Sequence, residues 1–195
     1  LTASELLVPV LILVGLGAAT KSAQVPFHVW LPNAMEAPTP VSAFLHSATM
    51  VKAGVYLVGR FRPLFLPEEA AVLGDWTLIF AVLGLLTMTV AAILAVSATD
   101  IKELLAYSTA SHLGLIIGAF GFANTYGAEA GAFHILNHAS FKAALFLVAG
   151  IIAHEAGTRQ IEKLGGLRKH LPITAVIAVV ASLSMAGFPP FNGFY

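Results

Sequence analysis

His134, His138 and Lys142 follow one another at i, i+4 and i+8 in Ala132-Phe133-His134-Ile135-Leu136-Asn137-His138-Ala139-Ser140-Phe141-Lys142, so on a helix they share one face. Residues 130–152 are otherwise almost wholly apolar or small, and about 20 such residues span the hydrocarbon of a bilayer. An ionisable group at mid-bilayer costs roughly 2.5–3.5 kcal/mol on insertion scales, so three in register point to ion movement before packing. Imidazole can accept a proton at one nitrogen while donating at the other, and a lysine one turn further on can hold the charge. The chemistry this predicts is a proton wire. The i, i+4 histidines also match two zinc ligands on one helix face, but the nearest acid, Glu129, lies on another face. No metal site is expected.

Other charged side chains also fall in apolar surroundings. Lys21 ends a run in Gly17-Ala18-Ala19-Thr20-Lys21-Ser22; a phosphate loop would need Gly directly before that lysine, and Thr20 stands there. It reads either as a lysine reaching for the membrane surface or as one that loads and releases a proton, which an arginine could not do. His46 and Lys52 are six residues apart, about 240° around a continuous helix, and should face different neighbours. Lone membrane histidines are commonly packing residues, whereas Lys52 lies too deep to reach the surface. Lys102 and Glu103 follow Asp100, a good N-cap, as an ordinary charged first turn. Further along, Ser108, Ser111 and His112 share a face that could hold a water chain.

These residues need membrane helices to position them. The chain is 58% hydrophobic and 10% charged, far from the soluble average of about 25% charged. Ten basic residues balance ten acidic ones, which leaves no electrostatic footprint for nucleic acid. Absence of cysteine excludes disulfides and thiolate metal sites in this chain. Apolar runs give about six membrane segments, at residues 4–24, 40–60, 71–98, 100–122, 128–154 and 171–186. Residues 25–32, with Pro26, Trp30 and Pro32, read as a broken interfacial connector. The expected architecture is an all-α polytopic transmembrane bundle with broken helices, forming one domain over residues 1–195. Arg159, Lys163, Arg168 and Lys169 share a loop, which the positive-inside rule assigns to the cytoplasm. Leu1 opens the chain without a basic leader region, and Tyr195 follows a Pro-Pro break, so an internal piece of a longer protein is expected.

Lys21-Ser22-Ala23-Gln24-Val25-Pro26-Phe27, Ala37-Pro38-Thr39-Pro40-Val41-Ser42, His46 to Val51, Asp100 to Thr109 and His134 to Lys142 occur in an order that resembles the antiporter-like, proton-translocating membrane subunits shared by respiratory complex I and the Mrp-type Na+/H+ antiporters. The likeness covers essentially the whole chain. Met35 to Ala43, Lys52 in Met50-Val51-Lys52-Ala53-Gly54, Gly157-Thr158-Arg159 and Ser184 to Phe194 look more like the large A-type subunit of the Mrp antiporters than its complex I homologue. The resemblance implies that Lys21 is the lysine of a broken helix near the membrane centre, that His46 and Lys102 lie beside the axis, and that His134, His138 and Lys142 form its middle. It also implies a partner glutamate on an earlier helix and a terminal lysine on a later one, neither of them in this chain. The expected function is proton movement through these residues in a multisubunit cation/proton antiporter of the inner or plasma membrane. Other membrane subunits and lipid would be partners, Na+ the exchanged ion, and no cofactor is implied. Proton pumping in complex I or a related hydrogenase is the alternative within the family. A structural scaffold, its polar residues holding helices together, and an intramembrane metalloenzyme are alternatives of other classes.

Overall fold

Of the 195 residues, the computed structural model describes 3–65 and 73–194. These form helices α1 Ala3–Lys21, α2 Trp30–Asn33, α3 Thr39–Ala43, α4 Lys52–Phe65, α5 Leu73–Ser97, α6 Ile101–Gly121, α7 Thr125–Ala156, α8 Leu167–His170 and α9 Pro172–Met185, in that order. Among the described residues, four stretches are long and apolar enough to cross a membrane: Thr39–Phe65, Gly74–Ser97, Ile101–Gly121 and Thr125–Ala156. Leu6–Lys21 and Pro172–Met185 are shorter apolar helices. The expected helical bundle is therefore present, although residues 71 and 72 of the third expected segment lie outside the described residues.

Local chemistry sets the helix ends. The Asp100 carboxylate accepts from the amides of Lys102 and Glu103 and caps α6. Asn124 caps α7 by accepting from the Gly127 amide, which starts that helix three residues before the expected boundary. Gly157, with φ 65°, ends α7 in the left-handed region. Pro172 opens α9 at a position where its missing N–H leaves nothing unsatisfied.

α6 is the central element. Leu105, Ala106, Ala110, Leu113, Ile116 and Ile117 are buried, α5 packs along one side and α7 along another. The α5–α6 approach depends on Gly84, where an added Cβ would lie 2.3 Å from the Gly118 nitrogen and 2.5 Å from the Gly114 oxygen. Such small-residue seams let membrane helices pack backbone to backbone. At one end of this seam the Trp76 indole donates to the Phe120 carbonyl over 2.9 Å. α9 lies against α7 and keeps Ile173, Val176 and Val179 exposed.

The second expected segment is not one continuous helix. α3 passes into a π-helical turn, Phe44–Ala48, and the chain breaks at residues 49–51 before α4 begins. His46 and Lys52 therefore do not share a helical register, and Lys52 opens α4 instead of lying deep within it. Hydroxyls satisfy the backbone here, as Ser47 donates to the Ala43 carbonyl and Thr49 to the Phe44 carbonyl, a device that allows a broken helix at membrane depth. From α1's end, Ser22 Oγ donates to the Val51 carbonyl at 2.7 Å and accepts from the Val55 amide at 2.9 Å, bracing the first turn of α4.

Candidate functional site: a histidine and lysine cluster between helices

The α6–α7 seam carries the densest group of titratable side chains. α7 places His134, His138 and Lys142 on one face, as their spacing predicts, and that face meets α6. His134 is half-buried, while His138 and Lys142 are fully buried. His112 Nδ1 lies 2.9 Å from His134 Nε2, with the rings stacked at 18°. The His138 ring lies 5.5 Å from that of His112, centroid to centroid. Phe141 touches all three imidazoles, at 5.3 Å from His112, 6.2 Å from His134 and 5.7 Å from His138. Lys142 Nζ donates to Ser108 Oγ and, at 3.5 Å, to the Leu105 carbonyl. Ser108 and His112, one turn apart on α6, thus each meet one end of the α7 triplet.

Two more buried lysines flank the seam. Lys52 Nζ donates to the Ile135 carbonyl at 2.8 Å, beside His134 in sequence. Lys102 Nζ donates to the Ala37 carbonyl at 3.0 Å. None of the three buried lysines forms an ion pair with a carboxylate among the described residues. Each rests on carbonyl or hydroxyl oxygens that can accept from either charge state. His46 is buried between Trp30 and Phe146, at 6.4 and 6.0 Å, and neither of its nitrogens has a hydrogen-bond partner among the described residues. Both nitrogens of His138 are likewise unpartnered. Lys21 stands apart at the exposed end of α1, and among the described residues no hydrogen bond joins it to the histidines.

The remaining polar contacts hold this geometry in place. Arg159 Nε meets the Asp100 carboxylate at 3.0 Å, and its Nη1 donates to the Met35 carbonyl at 3.3 Å. Backbone bonds from Ile101 to Arg159 and from Ile161 to Thr99 strap the loop after α7 to the start of α6. Asn137 and Asn192 exchange hydrogen bonds at 2.9 and 3.0 Å, and Ser184 also donates to Asn192. Ser111 departs from the expected shared face, because its hydroxyl donates to the Met88 carbonyl on α5. Among the described residues, no group of three His, Cys, Asp or Glu side chains is placed to hold a metal ion.

Residues 2–195 match the NADH:quinone oxidoreductase/Mrp antiporter transmembrane family. The chain belongs to that family. It is a multi-pass membrane protein, as the family match and the apolar helices together show. The A-type subunit of the Na(+)/H(+) antiporter of Bacillus subtilis (strain 168) is 52% identical over 201 aligned residues, covering 97% of this chain and 24% of the relative. The A/B-type subunit of a probable K(+)/H(+) antiporter of Rhizobium meliloti (strain 1021) is 58% identical, covering 95% of this chain and 18% of the relative. The chain thus spans a quarter or less of the length of these curated relatives. Among solved structures, the Mrp complex from Dietzia sp. DQ12-45-1b aligns with a TM-score of 0.88 and 42% identity, over 96% of this chain and 20% of that one. An archaeal respiratory complex, the membrane-bound sulfane sulfur reductase, aligns at 0.82 with 30% identity, over 91% of this chain and 36% of that one.

Within this member of the NADH:quinone oxidoreductase/Mrp antiporter family, several contact residues carry no sequence signal of their own. Phe141 looks like any core aromatic until three imidazoles surround it. Arg159 reads only as one more basic residue in a positive loop. Ser22 sits beside the more conspicuous Lys21, yet it is the serine that is buried and bonded across helices.

Proposed function

We propose that this chain is the central part of one antiporter-like transmembrane domain, in a membrane protein that moves protons through a lysine and histidine axis of a multisubunit cation/proton antiporter. The observation that carries this reading is the buried α6–α7 cluster, in which Lys142 bonds Ser108 and His112 meets both His138 and His134 between two membrane-length helices. Lys52 and Lys102 extend it from either side, with His46 next to the helix break. The axis is assigned Lys21, His46, Lys52, Lys102, His134, His138 and Lys142, Lys21 being its member at the end of α1.

A proton added to one buried base raises the electrostatic cost of a second charge nearby, so occupancy at one site biases its neighbour without large motion. Direction then comes from an outside driver. The antiporter names of relatives at 50–58% identity favour a proton gradient exchanged against Na+ or K+ over quinone-linked pumping. Other membrane subunits would be its partners, the plasma or inner membrane its location, and the basic loop around Lys163 would face the cytoplasm.

Full-length protein in everted vesicles provides the test, with a pH-sensitive dye reporting cation-dependent proton release. Lys142→Ala should abolish dequenching. Lys142→Arg should fail as well, because arginine keeps the charge and donors but does not deprotonate. A scaffold role would tolerate Lys142→Arg, and full activity in that variant overturns the relay.

A further inference from the structure

Lys102 belongs to the proposed axis, and the groups that hold its backbone and its ammonium converge on one arginine outside that axis. We propose that Arg159 is a positioning residue for Lys102: its guanidinium ties the start of α6, which carries the Lys102 backbone, to the turn whose carbonyl receives the Lys102 ammonium. This rests on the proton-relay reading that places Lys102 in the axis.

Asp100 Oδ1 accepts from the Lys102 amide at 2.8 Å, while Asp100 Oδ2 meets Arg159 Nε at 3.0 Å. The Arg159 carbonyl accepts from the Ile101 amide at 3.0 Å, so the arginine grips the first turn of α6 by main chain and side chain together. At the other end, Lys102 Nζ donates to the Ala37 carbonyl at 3.0 Å. Ala37 closes the 3-10 turn Ala34–Glu36. Within that turn the Met35 carbonyl accepts from Arg159 Nη1 at 3.3 Å, and Glu36 lies 3.9 Å from Nη2. Ser42 Oγ also donates to the Ala37 carbonyl at 3.3 Å, which helps to fix where that oxygen points. One planar fork thus spans α6 and the turn, a reach that the single ammonium of a lysine does not reproduce. The ion pair is partly buried, with the Asp100 side chain 15% and the Arg159 side chain 34% exposed, so salt screens it less than a surface pair. Among the described residues, the charges that act on the buried Lys102 are Arg159 and Glu36 from neighbouring segments and Asp100 from its own helix cap. A lysine that loads and releases a proton must hold its nitrogen in line with the groups it serves, and a displacement of about 1 Å can cost on the order of 100-fold in rate.

The test uses the full-length protein in its complex, with transport in everted vesicles read per amount of assembled complex across a range of pH. Asp100→Asn keeps an acceptor for the helix cap and removes the carboxylate that Arg159 grips; Arg159→Gln removes the fork. Both should lose roughly tenfold or more of transport and move the pH profile in the same direction, because both release the same ammonium. Arg159→Lys, which restores the charge without the span, should stay close to Arg159→Gln. Opposite shifts in Asp100→Asn and Arg159→Gln would mean that the two charges act on Lys102 directly, and positioning is then wrong. Transport at the wild-type level in any of the three, or reduced transport with an unmoved profile, makes Arg159 a structural strap and also overturns the proposal. If Arg159→Gln does not assemble, Asp100→Asn and Arg159→Lys decide by the same criteria. Lys102→Gln tests the underlying reading separately, because full transport by that variant removes Lys102 from the axis whatever Arg159 does.

Discussion

His138 is the residue at which function and stability pull hardest against each other. It is fully buried with both ring nitrogens unpartnered among the described residues, and a buried polar group without a hydrogen bond costs about 1–3 kcal/mol. An apolar side chain of similar size relieves that cost. His138→Leu is therefore expected to leave the stability of the purified complex unchanged or raised by up to about 1–2 kcal/mol, read as an equal or higher thermal midpoint, while vesicle transport is lost. A lowered midpoint with transport intact would make His138 a packing residue and remove it from the axis. Spacing alone marked the triplet, since a face of His134, His138 and Lys142 follows from helical periodicity. What α6 contributes was not legible: whether His112 meets His134, and Ser108 meets Lys142, depends on how two helices are set against each other. Ser111 shows the limit, because its spacing matches theirs and its hydroxyl faces α5.

At the scale of elements, sequence chemistry marks ends better than interruptions. Asp100 announced the start of α6, and the prolines and Trp30 announced the connector. The break at residues 49–51 contains neither glycine nor proline, and it persists through hydroxyls, those of Ser47 and Thr49 within the segment and that of Ser22 across from α1. Gly54 permits the last of these. A Cβ there would come within 2.2 Å of the Ala18 oxygen and 2.4 Å of Ser22 Oγ, so Gly54→Ala must push α1 and α4 apart. Overpacking of this kind costs about 1–3 kcal/mol, which should appear as a lower thermal midpoint and less protein in the membrane. Gly17→Ala is the control, since nothing lies within 4 Å of its Cβ and the helical backbone favours Ala. Equal behaviour of the two variants would show that α1 and α4 do not need their close approach.

For the whole molecule, the orientation in the membrane follows from the distribution of basic residues. The basic loop that holds Arg159, Lys163, Arg168 and Lys169 is tied through Arg159 to Asp100 at the start of α6, whereas Arg62, close to Arg60 on α4, holds the Phe122 and Asn124 carbonyls at the opposite end of α6. In a cysteine-free background of the full-length protein, Lys163→Cys should react with an impermeant maleimide only in inside-out vesicles, and Arg60→Cys only in intact cells. The reverse pattern would place the basic loop outside the cytoplasm and overturn the proposed orientation. Helix content, approximate segment number and membrane class were legible because hydropathy is a summed property that survives local error. The helix pairings came from seams such as Gly84 with Gly114 and Gly118, which are visible only once two glycine-bearing surfaces are set against each other.

The Ser22 hydroxyl has a bearing on how this protein can vary. It bridges the Val51 carbonyl in the break and the Val55 amide of α4, in a space that exists because position 54 lacks a side chain. Neither position can drift alone: bulk gained at 54 displaces the hydroxyl, and loss of the hydroxyl leaves the Val51 and Val55 backbone without its brace. In distant relatives the two positions should therefore change together or not at all, a pairwise signature between residues 32 apart in the chain that a collection of aligned sequences can confirm or refute without any experiment on the protein itself.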